Sequence, residues 1–322
     1  KNDYIIFFVQ GPDTWAYNAA SGTFNHIKNI YSDTAYYFIT ISTSNGKRVE
    51  LINDPGGVAE VTFNRFNERI FYEKELVNIL KSGREWFGES FGSQNSYTFN
   101  FNVQGNAGDI KLRTQVMINP SQPVPTYFSY FVNSTKVGDQ SMVGFRDARF
   151  DIQGRKVQND FIIPANLITS ANLPVNIVYD KSLDPNAVGY LDYLELNFEK
   201  ELALFGSQTL FRVNNSLNYT TAKYSISNTK PGSVVWDVTN PIQPKQQVKA
   251  SEFNAISDSV IKEYVVFTPQ EVTLTPKLVG AVPNQNLHGI TNIDFLIVTH
   301  PSLLEAANRL ATLRKKQGIK TE

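Results

Sequence analysis

Gly189-Tyr190-Leu191-Asp192-Tyr193-Leu194-Glu195-Leu196-Asn197-Phe198-Glu199 is the longest strand candidate in the chain. Its even and odd positions part sharply at Asp192, Glu195 and Glu199, as in a strand with two unlike faces. On its N-terminal side, Tyr97-Thr98-Phe99-Asn100-Phe101-Asn102-Val103 alternates with a period of two, and so does Lys111-Leu112-Arg113-Thr114-Gln115-Val116-Met117-Ile118. Turn clusters separate such segments: Gly105-Asn106-Ala107-Gly108, Asn119-Pro120, Asp151-Ile152-Gln153-Gly154 and Asp184-Pro185-Asn186. From Ser96 to about Thr275 the pattern is short strands with turns every ~8–12 residues and no interleaved helices, which predicts an antiparallel sandwich or jelly roll.

The first 90 residues alternate as well. Tyr4–Val9 is a β-branched and aromatic run stopped by Gly11-Pro12. Thr14–Tyr17 and Thr23–Ile27 flank Ala20-Ser21-Gly22 and predict a hairpin. Ala35–Ile41, Lys47–Leu51 and Val58–Phe66 read as further strands, with the Asn53-Asp54-Pro55-Gly56-Gly57 loop before the last. Asn67 to Lys81 predicts a short helix: Phe71, Leu76, Ile79 and Leu80 form an imperfect apolar stripe, Glu73 and Glu75 lie near its start, and Gly83 follows its end.

The end of the chain changes character. Ile293-Asp294-Phe295-Leu296-Ile297-Val298-Thr299 is a mostly apolar run of the kind buried parallel strands show. His300-Pro301-Ser302 opens a helix carrying Leu303, Leu304, Ala307, Leu310, Ala311 and Arg314 at helical spacing. Arg314, Lys315 and Lys316 suit its last turn, Gly318 its C-terminal cap, and Ile319 to Glu322 begins a second strand. These residues read as the start of a βαβ-type domain whose bulk lies beyond Glu322; the alternative is a strand and helix that finish the second β domain. The predicted organisation is mainly β: an N-terminal β-rich domain with one short helix (1–94), a β-sandwich domain (95–285), and a linker with the first strand and helix of an α/β domain (286–322).

Composition narrows the function. The 322 residues carry 30 Lys+Arg against 30 Asp+Glu, too balanced for a nucleic-acid tail or a polybasic membrane binder. Aromatic residues at 12% exclude disorder. With no Cys, the chain has no disulfide, no Cys-ligated metal and no thiol nucleophile of its own. Its three histidines, His26, His288 and His300, have no i, i+4 partner for a metal. His26 falls on a strand, His288 in the polar linker that starts at Asn284, and His300 at a helix start where its side chain is placed to cap.

One enzyme-like motif occurs, Gly88-Glu89-Ser90-Phe91-Gly92, which matches G-x-S-x-G. A nucleophile elbow needs its Ser between a buried strand and a helix. Here Gly83–Phe87 is no buried strand, and Ser93–Val103 reads as turn and strand. The motif therefore predicts a Gly-lined turn anchored by Trp86 and Phe87. No catalytic, cofactor-binding or metal-binding residue is assigned, and no cofactor is expected.

Several segments, in order, resemble the gingipain-type cysteine peptidases that act as sortases of type IX secretion. They are Gln10–Trp15; Asn29–Asp33 running into Tyr36-Tyr37-Phe38; Gly83–Glu89; Val235–Pro241; Pro283–Gly289; and Asp294–Pro301 with the helix after it. The resemblance implies β-rich domains ahead of a caspase-like α/β peptidase domain, whose His and Cys stand at strand ends beyond Glu322; His300 is not carried over as that His. It further implies a parent protein at the outer-membrane surface that removes C-terminal sorting domains from secreted cargo proteins and joins the cargo to lipopolysaccharide. Its partners would be that cargo and a PorV-like β-barrel anchor. This chain would be the non-catalytic scaffold. The competing reading is a stand-alone β-sandwich module binding glycan or protein cargo.

Overall fold

A computed structural model describes all residues except 1–4, 42, 80, 82, 84, 146–153, 273 and 283–286. The fold is mainly β, and the chain divides into two compact units, Lys1–Val272 and Thr273–Glu322. The turn expected at 151–154 and the linker residues 284–286 fall largely or wholly outside the described residues.

The first unit contains two sandwiches. In the first, a sheet ordered Thr135–Met142, Thr126–Val132, Asn172–Asp180, Ser96–Asn102 faces a sheet ordered Arg155–Ile163, Asn106–Asn119, Val188–Glu201, Arg65–Glu73. All neighbours in both are antiparallel. The alternation read from the sequence sets which side chains fill the space between them. Phe99 and Phe101 enter from one sheet, and Leu112, Leu194, Leu196 and Phe198 from the other. Phe128 and Tyr179 stack at 4.4 Å, with Phe91 edge-on to Phe128 at 5.3 Å. Each such buried aromatic or aliphatic side chain contributes about 1.5–3 kcal/mol.

The second sandwich sets the sheet Gln208–Phe211, Tyr264–Phe267, Val234–Asp237, Lys245–Gln247, Glu50–Ile52 against Glu252–Ile256, Thr221–Ser225, Val61–Phe63. Phe66, Phe211, Tyr224, Phe253 and Tyr264 fill its core. The parallel pairings of Val61–Phe63 with Thr221–Ser225 and of Glu50–Ile52 with Lys245–Gln247 both use short strands from the first 63 residues. On the outer side, Ile6 and Phe8 pack with Trp236, Val238, Val265 and Phe267.

Several expectations are corrected. The described residues of Asn67–Lys81 form no helix: Arg65–Glu73 is a strand paired along its length with Tyr193–Glu201. Both of its faces are covered, Phe66 and Ile70 by the cores and Phe71 by Trp15 and His26, so the apolar positions lose their period of two. The described residues of 4–9, and 35–41, are extended but join no ladder; Tyr37 instead bonds the main chain of Gln10 through its hydroxyl. Residues 94 and 95 both lie in the first unit, and strands on either side of them share a sheet.

In the second unit the helix is Leu304–Lys316, preceded by a 3-10 turn at Pro301–Leu303. His300 caps that turn, its Nδ1 accepting from the Ser302 N–H at 3.3 Å. Gly318 ends the helix at φ +80°, with the Ile319 N–H bonded to the Arg314 carbonyl at 3.1 Å. Phe295 then forms an isolated parallel bridge with Thr321 across the helix, with no strand among the described residues on either side where the sequence reading expected one. The run before the helix is not a buried strand: Leu296 is 60% and Val298 89% exposed. Parallel strands are covered only when neighbouring strands and helices lie over both faces. No helix among the described residues is long and apolar enough to cross a membrane.

Candidate functional site at the open side of the first sandwich

Arg65–Glu73 and Ser96–Asn102 are each the last strand of their sheet. Between them opens a cleft of about 500 Å³ lined by Tyr72, Lys74, Val77, Glu89, Ser90 and Phe99, among others. Gly88, Glu89 and Ser90 of the Gly88–Gly92 motif line it. Gly88 donates to the Leu191 carbonyl at 2.7 Å and Leu191 donates back to Glu89 at 3.0 Å, which fixes the segment on the long strand. Ser90-Phe91 then pairs with Tyr190-Gly189 as a two-residue strand.

That geometry has no strand–turn–helix elbow. The Ser90 side chain bonds the Tyr190 hydroxyl, whose pKa is raised by burial against that bond. Phe87 is buried against Tyr190 as a packing anchor, whereas Trp86 is 37% exposed.

Glu89 dominates the cleft, a residue the sequence reading passed over. Its carboxylate is 9% exposed. Oε1 accepts from the Tyr72 hydroxyl at 2.5 Å and faces Lys74 Nζ at 3.1 Å. Burial and the Glu89 contact together raise the Tyr72 pKa. Oε2 has no hydrogen-bond partner among the described residues. The only sequence signal for this cluster was the acidic residue inside an otherwise small-residue turn.

The carboxylates on the long strand serve a different purpose. Glu195 and Asn197 lie on its outer face and hold the N-terminal hairpin. Asn197 accepts from the Phe24 N–H at 2.7 Å and donates to the Phe24 carbonyl at 3.0 Å; Glu195 Oε2 accepts from the His26 N–H at 2.7 Å. Burial raises the Glu195 pKa, opposed by that N–H and by Arg113. Asp192 is at the strand's bulge and accepts from Gln115. Glu199 lies further along, within 3.7 Å of Arg65.

His26 stacks on Phe71 at 3.5 Å, meets Trp15 edge-on at 4.9 Å and pairs through Nε2 with Asp13 at 3.2 Å. Burial lowers its pKa against the pull of Asp13. Its ring is thus part of the hairpin's packing and does not line the Ser90 cleft. Beside it, Lys28 bridges Glu73 and Glu75, and burial, with Asp192 nearby, pushes Glu73 up to about 7.

No family model and no curated protein matches the sequence. A solved structure does: dimeric latent PorU from Porphyromonas gingivalis aligns over 98% of this chain with a TM-score of 0.83 and 25% identity. This chain spans 30% of that one. The CBM36-1 domain of a multidomain xylanase from the hindgut metagenome of Trinervitermes trinervoides aligns over 40% of this chain and 95% of its own, at 10% identity and TM-score 0.26. The insecticidal delta-endotoxin Cry8Ea1 of Bacillus thuringiensis aligns over 43% of this chain and 25% of its own, at 12% identity and TM-score 0.28. At scores this low neither of the last two bears on function.

Proposed function

We propose that this chain, a PorU-like region in sequence order and in fold, is the non-catalytic scaffold of a cell-surface cysteine peptidase of the type IX secretion sortase kind. The carrying observation is the alignment with PorU over 98% of the chain, which runs through both sandwiches and into the closing helix with its Phe295–Thr321 bridge. On this reading 286–322 holds the linker and the start of the caspase-like α/β peptidase domain. The thiolate that attacks the cargo's peptide carbonyl, forming an acyl-enzyme resolved by an amine or water, belongs to that domain and not to these 322 residues, which contain no Cys. The two sandwiches hold that domain at the outer-membrane surface. The partners on this reading are secreted cargo and a PorV-like β-barrel anchor.

The test is to assay this chain and the longer natural protein for release of a sorting domain from reporter cargo. The expected result is processing by the longer protein, lost when its peptidase-domain Cys becomes Ala, and none by this chain. Cleavage by this chain that disappears with Ser90→Ala would overturn the reading and make Ser90 a nucleophile.

A further inference from the structure

We propose that the open side of the first sandwich binds an extended polypeptide. The peptide adds as a fifth strand to the edge of Ser96–Asn102 that no described strand covers, and places an uncharged N–H or O–H donor on Glu89 Oε2. This site stands on its own geometry, independent of the peptidase reading.

The edge is built to pair. The Val103 N–H donates to the Ala171 carbonyl, and the Asn95 carbonyl accepts from Tyr179. Alternation along the strand therefore turns the main-chain groups of Thr98, Asn100 and Asn102 away from Asn172–Asp180, towards the open side. Sheet edges are ordinarily blunted by Lys, Pro or a bulge. Ser96-Tyr97-Thr98-Phe99-Asn100-Phe101-Asn102 has no Lys and no Pro, and its ladder runs without a register shift. At the opposite edge of the same sheet, Thr135–Met142 has both devices, a register shift at Lys136/Gly138 and the Lys136–Asp139 pair at 2.7 Å.

Beside the open edge lies the orphan oxygen. An unpaired carboxylate oxygen held out of water is costly, and a ligand donor removes that cost on binding. Lys74 already balances the charge through Oε1, so the missing partner is a neutral donor: a peptide amide, or the side chain of Ser, Thr, Asn or Gln. Leu76, Val77 and Phe99 supply apolar wall for a neighbouring side chain of the peptide.

The experiment pans a displayed library of random linear peptides on the 322-residue chain and maps the enriched binders by amide hydrogen exchange. The expected result is slowed exchange at Thr98 and Asn100. Affinity should fall roughly ten- to a hundredfold in Glu89→Gln, which sets a donor where a donor has to land. It should fall similarly in Thr98→Pro, which removes an outward N–H at an edge that tolerates proline. Should Thr98→Pro fail to fold, Glu89→Gln and the exchange map decide. Absence of any enriched peptide, protection mapping elsewhere, or affinity unchanged in Glu89→Gln overturns the proposal.

Discussion

Phe295 and Thr321 face each other as parallel neighbours although a whole helix separates them in sequence. The N–H groups of Asp294 and Phe295 both donate to the Lys320 carbonyl, and Ile297 donates to Glu322 at 2.9 Å. That return depends on a sharp helix end, and Gly318 supplies it at φ +80°. Gly318→Val forces a β-branched residue into the left-handed region and is expected to cost about 1–2 kcal/mol locally. Amide exchange at Leu313 through Ile319 and at Ile297 should accelerate together; acceleration at the helix end alone would separate the cap from the strand pairing.

Arg212 joins three parts of the first unit and is 1% exposed. It donates to Glu263 at 2.8 Å and to the Asn67 carbonyl at 3.0 Å, and lies over the Phe24 ring of the hairpin. Arg212→Ala leaves Glu263 with Arg69 alone and strips a buried carbonyl, for an expected loss of about 3 kcal/mol. Chemical denaturation checks the magnitude. A loss within the range of a surface pair, below about 1 kcal/mol, would show that Arg69 carries the network without it.

Gly189 leaves no room for a side chain in the first core. A Cβ there would lie 2.5 Å from Phe128 Cζ and 3.2 Å from Tyr179 Cδ1. Gly189→Ala therefore drives into the stacked pair and is expected to destabilise by about 1–3 kcal/mol. Paired with Phe128→Leu, which makes space at the same point, it should cost less than the sum of the two single changes. Additive costs in the double-mutant cycle would refute the contact.

Two groups under the hairpin give opposite pH slopes. Glu73 is pushed up to about 7 by burial, so its contribution is full below pH 4.5 and is lost as pH rises through about 7. His26 is lowered by burial, so its contribution is full above 6.5 and is lost as pH falls below that value. Glu73→Gln should raise the thermal midpoint at pH 8 relative to pH 5 by a few degrees, net of the lost Lys28 contact. His26→Gln should flatten the loss on the acid side while lowering stability throughout, because the ring no longer stacks on Phe71. Melting curves from pH 4.5 to 8 measure both; parallel curves for wild type and Glu73→Gln would show that Glu73 titrates normally.

Much of this was legible in the residues. Thr14–Asn18 and Thr23–Ile27 pair as the turn residues between them predict, and the 189–199 pattern lies within the central strand Val188–Glu201. His300, Pro301 and Gly318 bracket the closing helix where their chemistry places them. The misreadings share one cause. Residues 35–41 have strand composition but no ladder, because propensity favours an extended chain and cannot provide a partner. Residues 67–73, read as the start of a helix, form a strand, because neighbours distant in sequence cover both faces.

The sequence by itself determined what is local: alternation, turns, caps, and the lack of a thiol, since each depends on a residue and its near neighbours. Only the tertiary structure decided that Glu89 lies buried between two sheet edges and that Glu195 and Asn197 hold the hairpin. Those relations join residues up to 173 positions apart, and which groups leave water together follows from packing rather than from any short pattern.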